Sequence, residues 1–344
     1  MSTSNTQSTP GLVDFLERSG ARYRAFDLGS QLRNLSREQF ARFDQGQPYP
    51  YPHLSHAWLI LLLWNPEQRE QHSIWFMKLP LDEQGGLPAA VMTDVLDRLY
   101  RSLATADAEE RQRLLTDHPY QFTPPDNKMA ALHARASRTL GAPPSSFHPE
   151  AHRLLTMGGT AEDWAGVGLQ GLFDALERRS PADEQALSRQ LPDLPDFVRH
   201  QVLNAFEHHQ PGVALTECII RLARHHQDVA TRVATLRALS LSPSAGMVEA
   251  FVSDSLNQFA DELDVVLAVL SRHPGLLANT DLALAALDRL AVLADTDGFN
   301  RVVQGLALQP NLSGLILQAL RHPHRSNALA QAIGHLINST RTLQ

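Results

Sequence analysis

The chain has little cysteine, no long hydrophobic run and few of the motifs that mark common enzymes. Its single cysteine, Cys218, lies in an apolar helical stretch, so an internal disulfide is excluded and the residue is interpreted as a small buried hydrophobe. The longest apolar run, at 57–64, has eight residues, far short of the roughly 20 that a membrane-spanning helix requires. Residues 1–10 lack both a basic start and an apolar core, which predicts a disordered tail and no signal peptide. We therefore expect a cytoplasmic protein that does not enter the membrane.

Positive charge is also scarce. The formal net charge is −7, and lysine contributes only 2 of the 30 basic residues. A broad nucleic-acid surface normally needs clustered basic residues, so nucleic acid is a possible partner but not the favoured one. The arginines that could line one helical face for phosphate contact are Arg221, Arg224, Arg232 and Arg237.

Recognisable catalytic and metal-binding motifs are missing. The sequence contains no HExxH, CxxC, GxSxG or P-loop pattern. His148 and His152 can meet on one helical face, but no third ligand is recognisable beside them. A literal GxGxxG occurs at 166–171, where a helix start at 160–163 precedes it in place of the strand that a dinucleotide fingerprint needs. We interpret these glycines as points of close helix packing, and we predict no catalytic residue, cofactor or metal.

The most distinctive stretch that is present covers residues 48–81, which hold three of the four tryptophans. Its two runs at 57–64 and 73–79 are apolar on both faces and are joined by a polar loop, which predicts central antiparallel strands. Four aromatic side chains are interpreted as core residues of these strands, with a stacking platform for a peptide or a base as the alternative: Trp58, Trp64, Trp75 and Phe76.

The approach to these strands, at 48–56, is a separate candidate surface. Alternating prolines remove amide donors and fix the backbone in an extended form, so this segment is not helical. Tyrosine hydroxyls on such a stiff segment favour a wet edge. The candidate partner-binding residues are Tyr49, Tyr51, His53 and His56.

Helical spacing surrounds the strands in the first third of the chain. Helices are predicted at 11–19, 37–45, 88–104 and 108–116, and a hairpin at 22–28 and 31–35. A small antiparallel sheet with helices makes residues 11–118 an α+β domain. Proline pairs then mark residues 119–148 as a connector that contains one helix.

From residue 149 to 344 the spacing is helical and predicts an all-α domain, with one continuous helix at 160–178. Predicted helix ends near 226, 241, 258 and 273 recur every 15 to 17 residues, and an Arg-His-Pro triplet at 272–274 returns at 321–323. This spacing favours stacked helical hairpins, a HEAT-like α-solenoid. The alternative is that arginine and histidine simply suit the dipole at a helix C-terminus.

Four segments resemble an uncharacterised family of gammaproteobacterial proteins of similar length: YRAFDLG at 23–29, GQPYPYP at 46–52, WNP at 64–66 and WFMKLPLDEQG at 75–85. The resemblance extends over most of the chain and is strongest before residue 150. It implies no activity and no catalytic residues. A weak association with genes for tRNA modification is all that it implies about function.

We therefore expect a non-enzymatic interaction or adaptor protein with a protein partner, because stacked helices leave an extended surface and no catalytic constellation is visible. Two alternatives stay open. One is an RNA-associated accessory factor linked to tRNA modification. The other is an enzyme whose site lies in a cleft between the domains.

Overall fold

The computed structural model describes residues 11–105 and 107–341, so the predicted tail at 1–10 lies outside the described residues. These residues form two compact units. The first contains the chain up to Gly29, residues 33–123 and residues 308–310. The second contains residues 30–32, residues 124–307 and the chain from Asn311 onward.

The first unit is built on a four-stranded antiparallel sheet. Its strands are β1 (Arg22–Asp27), β2 (Arg33–Leu35), β3 (His56–Trp64) and β4 (His72–Pro80). Their order in the sheet is β2-β1-β3-β4, with Arg22 opposite Trp64 across β1 and β3, and His56 opposite Pro80 across β3 and β4. The predicted hairpin and the central position of the apolar run at 57–64 are confirmed.

Helices cover one face of this sheet. They are α1 (Leu12–Arg18), α2 (Arg37–Asp44) and α3 (Ala89–Ala104), and α4 (Ala108–Thr116) packs against α3. Side chains alternate between the faces of a strand, so every second residue of β3, from Ala57 to Leu63, points into one core. Apolar residues at helical spacing on α1, α2 and α3 complete that core, among them Leu16, Phe40 and Leu96.

The second unit is built from helices. They are α5 (Asp126–Leu140), α6 (His148–Met157), α7 (Ala161–Ala165), α8 (Leu169–Arg178), α9 (Pro181–Gln190), α10 (Asp196–Ala205), α11 (Val213–His225), α12 (Val229–Ala238), α13 (Ala245–Gln258), α14 (Leu263–Arg272), α15 (Thr280–Leu293), α16 (Thr296–Ala307), α17 (Ser313–Leu320) and α18 (Asn327–Arg341). Short 3-10 turns occur at Leu191–Asp193, Phe206–His208 and Pro274–Ala278. The predicted sequence of an α+β part followed by an all-α part is confirmed.

Helices in this unit pack mainly against helices that are close to them in the chain. α8 packs against α5 and α6, α12 against α10 and α14, and α15 against α14 and α18. The Arg-His pairs at 224–225, 272–273 and 321–322 all lie at helix C-termini, those of α11, α14 and α17. This position suits the helix dipole whether or not the pairs mark a repeat, so a regular solenoid stays a prediction.

The continuous helix expected at 160–178 is wrong. α7 ends at Ala165 with Gly166 as its C-cap, and α8 begins at Leu169 with Gly168 in an extended conformation as its N-cap. Glycine loses more conformational freedom than any other residue when it enters a helix. Gly166 and Gly168 therefore favour the end of one helix and the start of the next.

None of the described helices combines the length and the apolar character that crossing a bilayer requires.

Candidate functional site

A groove of about 510 Å³ opens on the helical unit. Its lining comes from the end of α5, the junction between α8 and α9, and the first turn of α11, and it includes Arg138, Glu177, Arg179, Glu184 and Val213. We call it the Arg138 groove. Binding pockets for small ligands usually measure roughly 300–1,000 Å³, so the groove is large enough to hold a ligand or a short stretch of polypeptide.

A buried carboxylate forms the floor of the Arg138 groove. The side chain of Glu177 is 4% exposed, and its Oε1 accepts from Arg135 Nε at 2.7 Å and from Arg138 Nη1 at 3.3 Å. Its Oε2 lies 3.4 Å from Nδ1 of His209. Arg135 and Arg138 lie three residues apart on α5, which places both guanidinium groups on the helix face that meets α8. Oε1 of Glu177 is therefore held by two arginines, and Oε2 lies beside a buried imidazole.

Two neutral histidines lie behind this carboxylate. Burial, with the nearby cations Lys128, Arg272 and Arg135, lowers the pKa of His208 to about 3. Burial and the neighbouring arginines also lower the pKa of His209 well below its ordinary value. Nδ1 of His208 accepts a hydrogen bond of 3.1 Å from the backbone N–H of Leu32, so the neutral ring carries its proton on Nε2. Groups with such low pKa values are weak bases near neutral pH.

The wall of the groove is fixed by a second arginine. Arg179 donates from Nε to Glu184 Oε2 at 3.0 Å and from Nη1 to the carbonyl oxygen of Leu176 at 2.7 Å. Its guanidinium carbon lies 5.1 Å from the ring centre of Phe206. The other oxygen of Glu184 accepts from the backbone N–H of Gly212 at 2.6 Å. Both oxygens of this second carboxylate are thus engaged.

Arg138 differs from the other charged residues of the groove. Its side chain is 60% exposed. Nη1 donates to the carbonyl oxygen of Glu177 at 2.6 Å and to its carboxylate, whereas Nε and Nη2 have no acceptor among the described residues. The groove therefore offers unused N–H donors, while its two carboxylates are already held by arginine and backbone N–H groups.

The structure places Tyr49, a predicted partner-binding residue, in the core of the first unit. Its side chain is 0% exposed, and its hydroxyl donates to Asp27 Oδ1 at 3.0 Å. The ring meets Phe43 edge to face, with the ring centres 4.8 Å apart. Burial and the adjacent carboxylate raise the pKa of Tyr49 well above its ordinary value. The expectation of an exposed hydroxyl is corrected, because a buried acceptor replaces water.

The three other predicted partner-binding residues lie nearer the surface. Tyr51 is half-buried, and its hydroxyl accepts from Gln39 Nε2 at 3.2 Å. His53 and His56 exchange two backbone hydrogen bonds of 3.0 and 3.1 Å across a tight turn that opens β3. Nδ1 of His56 lies 2.6 Å from the carbonyl oxygen of Leu54 inside that turn. Partner binding by these three residues stays a prediction.

The aromatic residues of β3 and β4 are half-buried. Trp75 packs against the core of the first unit. Trp58 meets Phe122 edge to face at 4.9 Å, and Nζ of Lys78 lies 4.7 Å from the Trp58 ring. Trp58 and Trp75 therefore take part in packing within the first unit.

The histidine pair and the glycine motif have structural roles. His148 and His152 stack with ring centres 5.9 Å apart, and His152 Nε2 lies 3.0 Å from Asp183 Oδ1. In the part of the chain that the structure describes, no group of three or more His, Cys, Asp or Glu residues is arranged to hold a metal ion. A Cβ on Gly171 would lie 2.7 Å from the Cβ of Phe147, which confirms close packing at this glycine.

The arginines proposed for phosphate contact do not form one exposed face. Arg232 is 1% exposed and lies between the rings of Phe251 and Phe259, at 4.8 and 4.6 Å from their centres. Its guanidinium donates to Ser255 Oγ and to Gln258 Oε1, and burial lowers its pKa. Arg224 is exposed and pairs with Asp254 at 3.3 Å.

The Arg138 groove itself was not predicted from the sequence. Its parts come from residues about 40 apart, and a pair of arginines on one helix or a Glu-Arg-Arg run at 177–179 is common in surface helices. The available signal was the spacing of Arg135 and Arg138 on α5, which directs two cations toward one point. A partner for them was not identifiable from local pattern.

Comparison with known proteins assigns the chain to a family. The family described as Protein of unknown function (DUF3549) matches residues 8–337, nearly the whole chain, and the chain belongs to it. No curated protein and no solved structure matches the chain.

Proposed function

We propose that this DUF3549 protein is a non-enzymatic interaction protein, and that a segment of a protein partner binds in the Arg138 groove. The observation that supports the proposal is a groove of about 510 Å³ whose charged walls are already held by internal hydrogen bonds. A wall that is ordered before binding loses little conformational entropy when a ligand arrives. A cytoplasmic location and a gammaproteobacterial source are parts of the same proposal.

The chemistry of the lining favours binding over catalysis. The hydroxyl of Ser180 donates to Asp183 Oδ2 at 2.8 Å, and that of Ser188 donates to the carbonyl oxygen of Glu184 at 2.8 Å. An activated serine needs a base that accepts its proton and is itself free to pass it on. Asp183 instead accepts the backbone N–H of Ser180 as the cap of α9, and Glu177 and Glu184 are paired with arginines.

The arrangement of the helices is a second support. Packing between chain neighbours is the organisation of stacked helical arrays, which expose extended surfaces to partners. Val213, at the start of α11, lines the groove and is 57% exposed, so it offers apolar contact beside the arginines. We do not extend the proposal to RNA, because the burial of Arg232 removes one member of the arginine face on which that alternative rested.

The experiment places a photocrosslinking amino acid at Val213 and, as a matched control, at Val292. Both are exposed helix valines of the second unit, 57% and 66% exposed, and only Val213 is among the residues that line the Arg138 groove. We expect irradiation in cells to join a protein to the chain from position 213 and not from position 292. The captured protein, once purified, should bind the unmodified chain.

The same products from both positions would contradict the proposal, as would no protein product from position 213 under conditions in which the chain is folded. A product made solely of RNA would also overturn it.

A further inference from the structure

Building on the proposed function, we infer that the segment bound in the Arg138 groove is acidic, and that Arg138 receives an aspartate or glutamate carboxylate of the partner. The hydrogen-bonding groups of the groove that are already used, and those that are not, select this class of ligand.

The lining has spare donors, and its carboxylates are already paired with groups of the protein. A guanidinium carries five N–H groups. Arg138 uses Nη1 for Glu177, which leaves the N–H groups of Nε and Nη2 without an acceptor among the residues that the structure describes. Both oxygens of Glu184 accept hydrogen bonds, from Arg179 and from the backbone of Gly212, and Glu177 is 4% exposed, with its Oε1 held by Arg135 and Arg138 and its Oε2 3.4 Å from Nδ1 of His209. A ligand that brings acceptors therefore finds partners here, and one that brings a cation does not.

The geometry of Arg138 selects a carboxylate among acceptors. Nη1 is anchored by the carbonyl oxygen of Glu177 at 2.6 Å, which limits rotation of the planar group. Nε and Nη2 form the remaining edge, on which two parallel N–H bonds match the two oxygens of a carboxylate. Because the anchor restricts this edge before binding, less side-chain entropy is lost when a carboxylate docks.

The first test compares short fluorescein-labelled peptides. One alternates alanine with glutamate, a second has glutamine at the same positions, and a third has lysine. We expect the glutamate peptide to bind the full chain about tenfold or more tightly than the glutamine peptide, which is the range for one hydrogen-bonded charge pair. Added salt should weaken its binding. Equal binding of the glutamate and glutamine peptides would refute carboxylate recognition.

Two substitutions test whether Arg138 is the residue that binds the glutamate peptide. Arg138→Gln should lower the affinity for the glutamate peptide about tenfold or more. Arg224→Gln is the matched control, because Arg224 and Arg138 are 59% and 60% exposed and each lies 3.3 Å from one carboxylate. The control should bind as the wild type does. Equal loss in both variants would show a general charge effect and would overturn the assignment.

A second pair of variants remains informative if Arg138→Gln misfolds. Val213→Glu introduces a carboxylate at an exposed position, the first residue of α11, where the helix dipole favours negative charge. Val213→Gln has the same size without the charge. We expect Val213→Glu to lose binding of the glutamate peptide and Val213→Gln to retain most of it. The same affinity in both variants would exclude a carboxylate at this place.

The proposed function and this inference fail differently. If position 213 captures a protein, but Arg138→Gln leaves that capture unchanged and neither Arg138→Gln nor Val213→Glu changes peptide binding, the partner does not present a carboxylate to Arg138. If position 213 captures no protein, the groove is not a protein-binding site. A single-stranded RNA oligonucleotide is the last probe. If it binds more tightly than the glutamate peptide, and if Arg138→Gln abolishes its binding, Arg138 binds phosphate and the inference is overturned.

Discussion

Acid should destabilise the helical unit through His273, which follows α14. The side chain is 5% exposed, and its Nε2 lies 2.7 Å from the carbonyl oxygen of Leu236. The neutral ring therefore donates from Nε2. Burial, with a smaller effect from Arg272, lowers the pKa of His273 from 6.5 to about 4.

The direction of the pH effect follows from this difference. A histidine whose pKa is lower in the folded than in the unfolded chain is protonated first in the unfolded chain as pH falls. Its contribution to stability is thus present above pH 6.5 and is lost as pH falls from 6.5 toward about 4. With these two pKa values, linkage gives a loss of about 2 kcal/mol in the free energy of unfolding between pH 7 and pH 5.

The measurement is urea unfolding followed by far-ultraviolet circular dichroism, which reports the helices. His273→Gln retains an N–H donor for Leu236 and cannot be protonated, so its stability should fall by about 2 kcal/mol less than that of the wild type between pH 7 and pH 5. His225→Gln changes an exposed histidine at the end of α11 and serves as the control for replacing a histidine by glutamine in the same unit. If the free energy of unfolding falls equally in the wild type and in His273→Gln between pH 7 and pH 5, His273 is not the cause of the acid sensitivity.

Three further predictions concern stability. Tyr49→Phe should lower the free energy of unfolding by about 1.5–3 kcal/mol, because it removes a hydrogen bond to a buried carboxylate. Tyr51→Phe should lower it by less than about 1 kcal/mol. Unfolding followed by tryptophan fluorescence compares the two variants, and equal losses of stability would contradict the structure. Glu177→Gln should cost about 3–5 kcal/mol in the free energy of unfolding, measured by circular dichroism, since it leaves Arg135, whose side chain is 18% exposed, without its charged partner; a neutral effect would show that this ion pair is not buried in solution. Arg232→Met should keep the free energy of unfolding within about 1 kcal/mol of the wild type, because methionine fills the space without a buried charge. Arg232→Ala should lower it by about 2–5 kcal/mol, because it leaves a cavity. Equal losses of stability in thermal unfolding would mean that the charge itself stabilises the fold.

The strands and most helices could be predicted because their signal is local. An apolar run that is too short for a long helix and is followed by a proline favours a strand, and the run at 57–64 is the central strand β3. Amphipathic spacing likewise located α1, α2 and α3, whose apolar faces form one core with β3. The break between α7 and α8 was missed because the apolar spacing continues across Gly166 and Gly168.

The candidate site and the position of Tyr49 could not be predicted in the same way. Both depend on a partner that is distant in the chain. Tyr49 is buried because Asp27, 22 residues earlier, supplies an acceptor in the core. The Arg138 groove depends on Glu177, which lies 39 residues after Arg138 and has no distinctive sequence context. Pairing of this kind depends on how helices pack, which single-chain periodicity does not specify.

The buried cluster around Glu177 also constrains how the family can vary. Arg135, Arg138 and His209 converge on one carboxylate that is 4% exposed, so a change of Glu177 leaves Arg135 without its charged partner, and a change of Arg135 or His209 removes a group packed against a buried charge. Single replacements are costly, whereas joint replacement by apolar residues is tolerable. We therefore expect Arg135, Glu177 and His209 to vary together across related sequences. The buried residues of the groove floor would then change only in combination, whereas exposed residues of the rim, such as Val213, could change singly as the sequence of the partner changes.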